Sequence, residues 1–297
     1  MYYRDQAEEL RNIIKQQNQI DVANAKVITI TSGKGGVGKS NTAVNLAVWF
    51  RRMGKRVIIF DADFGLANVE VMFGTVPTYS LKDVIYGSMR ISDIITEGPM
   101  DIGFISGGSG IVGLNDLGHD QVEGLIRSLS ELNNLTDILI IDTGAGVGSN
   151  VMDFVVASPE VVLVSTPEPS SLTDSYSLVK GLYNDPRFIE GGTNIHLLAN
   201  RVSDSEEARA IYDKLSSIVE RFLNGRLSYL GMVPADTALE KAVRSQEIIS
   251  LSNPSSRASK AFEEAAAKLL DEESSVQYKW GISRFFRSFI PVKQRGS

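Results

Sequence analysis

The 297-residue sequence contains no cysteine, only two histidines and no long hydrophobic run. Without cysteine there can be no disulfides, thiolate metal sites, iron–sulfur clusters or cysteine nucleophiles, and the composition fits a reducing compartment. No run approaches the roughly 18 apolar residues that a membrane-spanning helix requires. The first residues lead into a charged stretch instead of an apolar secretory segment. We therefore expect a cytoplasmic protein.

An excess of positive charge is also lacking. The formal net charge is −6, which argues against attraction of the whole surface to nucleic acid. The length is ordinary for one large α/β sheet with a short appendage at each end. We predict three parts: an amino-terminal segment at 1–25, a central domain at 26–272 and a carboxy-terminal tail at 273–297.

The most informative motif is a phosphate-binding loop at 33–40, Gly-Lys-Gly-Gly-Val-Gly-Lys-Ser, with a second lysine directly after its first glycine. Glycines let backbone N–H groups converge on phosphate oxygens. Lys39 would reach the β- and γ-phosphates, and Ser40 would bind magnesium. A β-branched strand at 26–31 precedes the loop and a helical pattern follows it, as the motif requires. The predicted nucleotide contacts here are Gly35, Gly36, Val37, Gly38, Lys39, Ser40 and Asn41.

Apolar strand-like segments alternate with helical segments along the chain, and they lie at 57–60, 102–105, 138–141, 161–164, 195–199 and 230–233. This alternation predicts an α/β fold with a doubly wound, mainly parallel sheet of about seven or eight strands and helices on both faces. In such sheets ligands bind outside the carboxyl ends of the strands. The residues that follow each strand are therefore candidates for a site.

Carboxylates follow two of these strands. Asp61 and Asp63 come directly after the strand at 57–60, and Asp142 comes after the strand at 138–141. A carboxylate that closes an apolar strand beside a phosphate loop is expected to help hold magnesium. Gly146, a few residues further on, would offer its N–H to a γ-phosphate.

Polar residues also follow the last two strands: Asn200 and Arg201 after one, Pro234 and Asp236 after the other. An amide can donate to and accept from an adenine edge, so Asn200 is a candidate base reader. Taken singly, Asn200 or Asp236 is explained more simply as a helix N-cap or a turn residue. Because all these segments occur in order on successive strand ends, we predict that the four residues bind the nucleotide.

Together, these segments resemble the deviant-Walker-A ATPases, the group that contains the division-site regulator MinD and the partition ATPase ParA. The resemblance implies ATP hydrolysis with Mg²⁺ and a homodimer in the ATP state. In that family the extra lysine, here Lys34, crosses a two-fold interface to the partner's phosphates. The resemblance also makes Lys34, Lys39 and Asp63 catalytic, with Asp63 positioning the attacking water and Asp61 and Asp142 near the magnesium. Gly144 stands where many relatives have proline, so this switch segment is expected to be less rigid.

The carboxyl end differs in composition from the rest. No acidic residue follows 271–273, while five basic residues accumulate. One predicted helical face carries Trp280, Ile282, Phe285, Phe286, Phe289 and Ile290. A basic amphipathic helix with aromatic residues is typical of an anchor on the anionic membrane surface, and the alternative is a helix packed on its own domain. Each basic residue contributes at most about 1 kcal/mol, so one copy is marginal and a dimer gains avidity.

At the other end, the pattern Asp-Gln-Ala-x-x-Leu-Arg includes Asp5, Gln6, Leu10 and Arg11. Ahead of a MinD-like domain it resembles the flagellar-number regulators FlhG, FleN and YlxH. In that family the segment, here residues 1–20, stimulates FlhF, a relative of the signal-recognition-particle GTPases. The resemblance implies that Gln6 orients an attacking water. Flagellar C-ring proteins are further candidate partners, and nucleic acid is not expected.

Three functions remain open at this point. The favoured one is a membrane-recruited ATPase switch that controls flagellar placement or number. A ParA-like DNA-partition ATPase shares every nucleotide motif but explains neither terminal segment. A bacterial tyrosine kinase shares similar motifs, yet such kinases usually carry a C-terminal tyrosine cluster, and Tyr278 stands alone. The redox iron proteins of this superfamily are excluded by the missing cysteines.

Overall fold

The computed structural model describes residues 25–63, 68–87, 89–108, 119–189 and 191–271, together with Ile282 and Phe285. At 119–123 and 126 it describes the backbone alone. The predicted partner-activating residues and most of the predicted membrane face lie outside these ranges. They are Asp5, Gln6, Leu10, Arg11, Trp280, Phe286, Phe289 and Ile290.

Eight strands form one sheet within the described residues. They are β1 (Lys26–Ser32), β2 (Val57–Ala62), β3 (Thr96–Glu97), β4 (Gly103–Ser106), β5 (Ile138–Ala145), β6 (Glu160–Ser165), β7 (Asn194–Val202) and β8 (Ser228–Pro234). Their order in the sheet is β3-β4-β2-β5-β1-β6-β7-β8. All neighbouring pairs are parallel except β3 and β4. The predicted doubly wound, mainly parallel α/β fold is confirmed, whereas β3 was missed because two polar residues carry no strand pattern.

The helices connect the strands and cover the sheet. They are α1 (Lys39–Arg52), α2 (Asn68–Phe73), α3 (Leu81–Ile85), α4 (His119–Ser130), α5 (Leu132–Leu135), α6 (Ser149–Ala157), α7 (Pro169–Asn184), α8 (Ser205–Leu223), α9 (Thr237–Arg244), α10 (Ile249–Ser252) and α11 (Arg257–Asp271). Two short 3₁₀ turns lie at Ile91–Ile94 and Pro99–Asp101. Within the described residues, no helix is long and apolar enough to cross a membrane.

The strands are buried on both faces, which explains their continuous apolar sequences. Along β1, Ile28 and Ile30 pack with α1, α2, α10 and α11, while Val27 points to the opposite side of the sheet. This alternation follows from the two-residue period of a strand. On that opposite side the strands pack against α3, α4, α6, α7 and α8. Helices on both faces leave the carboxyl edge of the strands open for a site.

The apolar face predicted at the carboxyl end lies partly in this core. Ile282 and Phe285 are 0% exposed, and the Phe285 ring stacks on Phe154 of α6 with centroids 6.2 Å apart. Their neighbours include Leu125 and Leu129 of α4. The prediction that these two residues form a membrane contact is therefore wrong for this state of the chain. The apolar side chains are removed from water by their own domain, which satisfies the same hydrophobic driving force as a bilayer.

Candidate nucleotide site

A cavity of about 650 Å³ opens at the carboxyl edge of the strands, a size ordinary for a small-molecule site. Its floor is the phosphate-binding loop and the first turn of α1. The residues of this floor are Gly35, Gly36, Gly38, Lys39, Ser40 and Asn41. The structure thus brings together six of the seven loop residues predicted to contact nucleotide. The exception is Val37, whose side chain is buried away from the cavity wall.

The shape of the loop depends on two of its glycines. Gly38 has a φ of +102°, and a Cβ there would lie 2.4 Å from Nδ2 of Asn200. At Gly33 a Cβ would lie 2.1 Å from the backbone carbon of Asp174 in α7. Any side chain would therefore push the loop away from β7 or α7. Since α1 begins at Lys39, its unpaired N–H groups and partial positive charge face the cavity, where phosphate would bind.

Three charged side chains meet behind this floor. Lys39 is 9% exposed, Asp61 is 5% exposed and Asp142 is fully buried. Burial lowers the pKa of Lys39, and the carboxylates of Asp142 and Asp63 partly offset this effect. Burial also raises the pKa of Asp142 to about 7, and repulsion from Asp61 adds to the shift. The pKa of Asp61 is likewise raised to about 7, mainly by burial.

The arrangement of these carboxylates fits a magnesium ion. The carboxylate of Asp142 is fully buried beside the Ser40 hydroxyl and the Lys39 ammonium, and a carboxylate and a hydroxyl placed together in this way can share a magnesium ion. Asp61 is oriented by the N–H groups of Asp63 (3.1 Å) and Val69 (3.3 Å). Among the described residues no group of three or more histidine or acidic side chains could hold a metal. Mg²⁺ usually takes one or two protein oxygens plus phosphate and water, and Ser40, Asp61 and Asp142 could supply the protein oxygens.

One wall of the cavity carries the predicted water-positioning residue. Asp63 lines the cavity together with Asn68, Val71 and Met72 of α2. The side-chain amide of Asn68 donates to Oδ2 of Asp63 at 3.3 Å. Asn68 therefore helps to orient this carboxylate toward the space above the loop. The sequence motifs had not indicated a role for Asn68, because a single asparagine at the start of a helix is usually a cap.

Lys34 points away from its own cavity. Its ammonium lies 2.5 Å from Glu168, which precedes α7, and 2.8 Å from the hydroxyl of Ser170. The Lys34 side chain is 35% exposed. The hydrogen bond from Lys34 lowers the pKa of Glu168. Lys34 is thus near the surface and does not line the site built by its own loop.

Gly146 does not offer the free N–H that we predicted. Its N–H donates to the carbonyl of Ser32 at 2.9 Å. The reason is that β5 extends to Ala145 and pairs with the end of β1, so the next N–H is drawn into the same ladder. Ala145 lines the cavity instead. In this conformation the prediction for Gly146 is wrong, and the loop after β5 would have to shift for a phosphate contact.

Asn200 braces the loop in this structure. It is 4% exposed, its Nδ2 donates to the carbonyl of Val37 at 2.7 Å and its Oδ1 accepts from the N–H of Arg201 at 2.9 Å. The amide is therefore hydrogen-bonded within the chain and does not line the cavity. Its role as a reader of the adenine edge stays a prediction. Arg201 does line the cavity, and it has a left-handed φ of +58°.

Pro234 and Asp236 also lie off the cavity wall. Pro234 is buried in β8, where it pairs with Val202. Asp236 accepts from the N–H of Ala238 at 2.8 Å and of Ala258 at 3.0 Å. One carboxylate thus caps α9 and also binds the first turn of α11. Pro234 belongs to a strand and Asp236 to two helix starts, and neither residue lines the cavity. Their contact with nucleotide stays a prediction.

The second wall of the cavity comes from a segment that the sequence analysis missed. Val243, at the end of α9, and the following Gln246 and Glu247 line the cavity. No motif marks this segment, since it follows a helix instead of a strand. Only its short distance after Pro-Ala-Asp could have pointed to it.

A phosphate loop between a parallel strand and a helix, with carboxylates on neighbouring strand ends, defines a P-loop nucleoside triphosphatase. Comparison with known proteins gives the same assignment. The ParA family model, described as NUBPL iron-transfer P-loop NTPase, matches residues 23–270. The chain therefore belongs to the ParA/MinD family of P-loop NTPases, and it is an ATPase of that family.

Two curated relatives match most of the chain. The antiactivator FleN of Pseudomonas aeruginosa is 41% identical and covers 82% of this chain and 86% of its own. The flagellum site-determining protein YlxH of Helicobacter pylori is 33% identical and covers 96% and 98%. Among solved structures, MinD of Pyrococcus horikoshii complexed with Mg-ADP has a TM-score of 0.65 and 24% identity, with coverage of 86% and 100%. At this level of identity, the similarity to the MinD structure shows a shared fold and nothing more.

Proposed function

We propose that the chain is an ATP-dependent dimerisation switch that controls flagellar number or placement at the inner surface of the cell membrane. The observation that carries the switch is the position of Lys34, whose ammonium lies near the surface, outside its own cavity and within reach of another molecule. The flagellar role is supported by the likeness to FleN and YlxH, the latter over nearly the whole chain.

In the proposed reaction, water attacks the γ-phosphate in line with the leaving group. Lys39 and the loop N–H groups neutralise the charge that develops on the phosphates. Asp63, oriented by Asn68, holds the attacking water. Ser40, Asp61 and Asp142 would hold magnesium, which would supply positive charge at the phosphates. Lys34 of a second copy supplies the remaining positive charge, so hydrolysis and dimerisation depend on one another.

The dimer proposal is tested by Lys34→Ala. We expect this variant to bind ATP as a monomer and to lose the ATP-dependent dimer, measured by light scattering with a slowly hydrolysed ATP analogue. Lys180→Ala, which removes an exposed lysine of α7, is the matched control and should dimerise normally. An ATP-dependent dimer of the Lys34 variant equal to that of the wild type would refute the trans role.

Membrane binding requires the carboxyl end to leave its own domain, because Ile282 and Phe285 are fully buried. We expect ATP to increase sedimentation with anionic vesicles. Phe289→Asp should abolish this sedimentation. Phe285→Asp should also lower the Tm of the free protein, because it places a charge against the ring of Phe154. Equal sedimentation of wild type and Phe289→Asp would exclude the anchor.

The amino-terminal segment is proposed to stimulate an FlhF-type GTPase. Deletion of residues 1–20 should leave ATP hydrolysis within about twofold of the wild type, since the cavity residues all lie beyond it. The same deletion should abolish stimulation of the GTPase, measured as phosphate release from GTP. Gln6→Ala in the full chain should reproduce the loss. Full stimulation by either variant would remove this part of the proposal.

A further inference from the structure

One aromatic ring between α1 and α11 is flanked by two cations. Trp49, near the end of α1, is 6% exposed and packs in the core cluster that the two helices share. Cζ of Arg52 lies 4.8 Å from the centroid of its ring. Nζ of Lys260, in the first turn of α11, lies 5.3 Å from the same centroid. Cation–π attraction thus holds two positive charges at one ring.

The indole N–H of Trp49 lacks an acceptor. Its nitrogen Nε1 is closed to solvent and makes no hydrogen bond with any of the described residues. This N–H is the only polar group of the side chain, and a buried donor without an acceptor carries a penalty that native structures rarely leave uncompensated. Such a group usually marks the place of a bound water or ion.

The groups around this N–H are mostly hydrogen-bond donors. An indole, a guanidinium and an ammonium group donate hydrogen bonds and cannot accept them. Within the part of the chain that the structure describes, Arg52 has no ion pair. One carboxylate takes part, since Oε2 of Glu263 accepts from Nζ of Lys260 at 2.6 Å on the exposed side of α11. A ligand that satisfies this cluster must accept hydrogen bonds and carry negative charge.

We propose that Trp49, Arg52 and Lys260 bind an oxyanion of the phosphate class. Its oxygens accept from the indole N–H and from both cationic groups, which gives charge-assisted hydrogen bonds. The anion also removes the repulsion between two cations held at one ring. Both cationic side chains are long and exposed, so they can move apart and let the anion reach Nε1. The site shares no residue with the nucleotide cavity and does not depend on the proposed switch.

The ring can report on its own site, because the only other tryptophan in the chain is Trp280. The test uses a Trp280→Phe background saturated with Mg-ADP, so that the phosphate loop is already occupied. Inorganic phosphate at constant ionic strength should then change the emission of Trp49 in a saturable way. Arg52→Gln and Lys260→Gln should each weaken phosphate binding by about tenfold, the loss expected for one charge-assisted bond. No change of emission with phosphate, or equal affinity in all three proteins, would overturn the proposal.

Two acidic residues of α11 provide matched variants. Glu263→Gln removes the carboxylate that competes for Lys260, so it should tighten phosphate binding by about twofold to threefold. Glu264→Gln removes an exposed charge from the same helix without that contact and should have a smaller effect. An equal effect of the two variants would mean that phosphate responds to the general charge of α11, which contradicts a defined site.

Thermal stability separates anion binding from a purely structural role of the ring. Trp49→Phe keeps an aromatic ring and removes the N–H. With Mg-ADP present, phosphate at about ten times its dissociation constant should raise the Tm of the wild type by about 3 °C more than that of Trp49→Phe. The variant then shows only the general stabilisation that phosphate gives to any protein. The same rise in both proteins would count against the site.

Phosphate groups reach a protein either as free ions or as lipid headgroups. Vesicles of phosphatidylglycerol are therefore added to the phosphate-saturated protein, and the emission of Trp49 is followed. Reversal of the phosphate-dependent change in the wild type, with none in Arg52→Gln, identifies a lipid headgroup as the ligand. Phosphate binding that the vesicles leave unchanged identifies the free ion.

Discussion

At the scale of single residues, the ammonium group of Lys34 is hydrogen-bonded to its own chain in the monomer. The contacts to Glu168 and Ser170 must break before Lys34 can reach another molecule's phosphates. We expect Glu168→Gln to strengthen ATP-dependent dimerisation by about twofold to fivefold, because exposed ion pairs are weak but must still be replaced. Light scattering against protein concentration measures the effect. Glu206→Gln, an exposed position at the start of α8, should change nothing, and a weaker dimer of the Glu168 variant would contradict the idea.

Asp142 is a fully buried carboxylate beside the Lys39 ammonium and the Ser40 hydroxyl. Asp142→Asn removes a charge that is costly to bury, but it also leaves the buried Lys39 ammonium without this partner. Because the two effects oppose each other, we expect the Tm without magnesium and nucleotide to stay within about 4 °C of the wild type. The substitution should abolish the additional stabilisation by Mg²⁺ and ATP. Thermal scans with and without a chelator give both quantities, and undiminished stabilisation by Mg²⁺ and ATP would contradict a role for Asp142 in holding the metal.

At the scale of secondary structure, Asp236 connects two helices through one carboxylate. Its oxygens accept from Ala238 of α9 and Ala258 of α11. Asp236→Ala should lower the free energy of unfolding by about 2 kcal/mol, since each lost cap is worth about 1 kcal/mol. Asp236→Asn keeps one acceptor oxygen and should lose about half as much. Denaturant titration measures both, and equal losses for the two variants would mean that only one contact matters.

Several strands and one helix were predicted correctly from sequence patterns. Strands β2, β5, β6 and β7 were predicted to within a few residues, because continuous β-branched sequences can be buried on both sides only in a covered parallel sheet. Helix α1 was predicted from its loop and its apolar spacing. The short β3 and the turn after α9 were missed, because neither has a period or a motif from which its place could be inferred.

At the scale of the whole molecule, acid stability depends on an ion-pair cluster far from the nucleotide site. Arg187, beyond α7, contacts Asp153 of α6 at 2.7 Å and Asp185 at 2.8 Å. The hydrogen bond from Arg187 lowers the pKa of Asp185. A carboxyl group with a lowered pKa contributes stability above its ordinary pKa, near 4, and loses it as pH falls through the lower folded value.

We therefore expect Arg187→Ala to lower the free energy of unfolding by about 2 kcal/mol at pH 7. This loss is smaller than for a fully buried ion pair because the arginine side chain is 40% exposed to solvent. The difference from the wild type should shrink below about pH 4, as the carboxyl group of Asp185 becomes protonated. Urea titrations at several pH values measure it. A difference that stays constant down to pH 3 would show that packing, and not charge, accounts for the loss.

The sequence by itself determined the fold class, the phosphate loop and the strand-end carboxylates at Asp61, Asp63 and Asp142. These features are local, because glycine spacing, the apolar pattern of a strand and the residue that ends a strand each depend on residues close together in sequence. Only the tertiary structure decided which polar groups remain available. Gly146, Asn200 and Asp236 are occupied by distant backbone groups, and Phe285 is covered by α6. Hydrogen-bond partners and apolar neighbours are set by packing between segments far apart in sequence, and no local pattern carries that information.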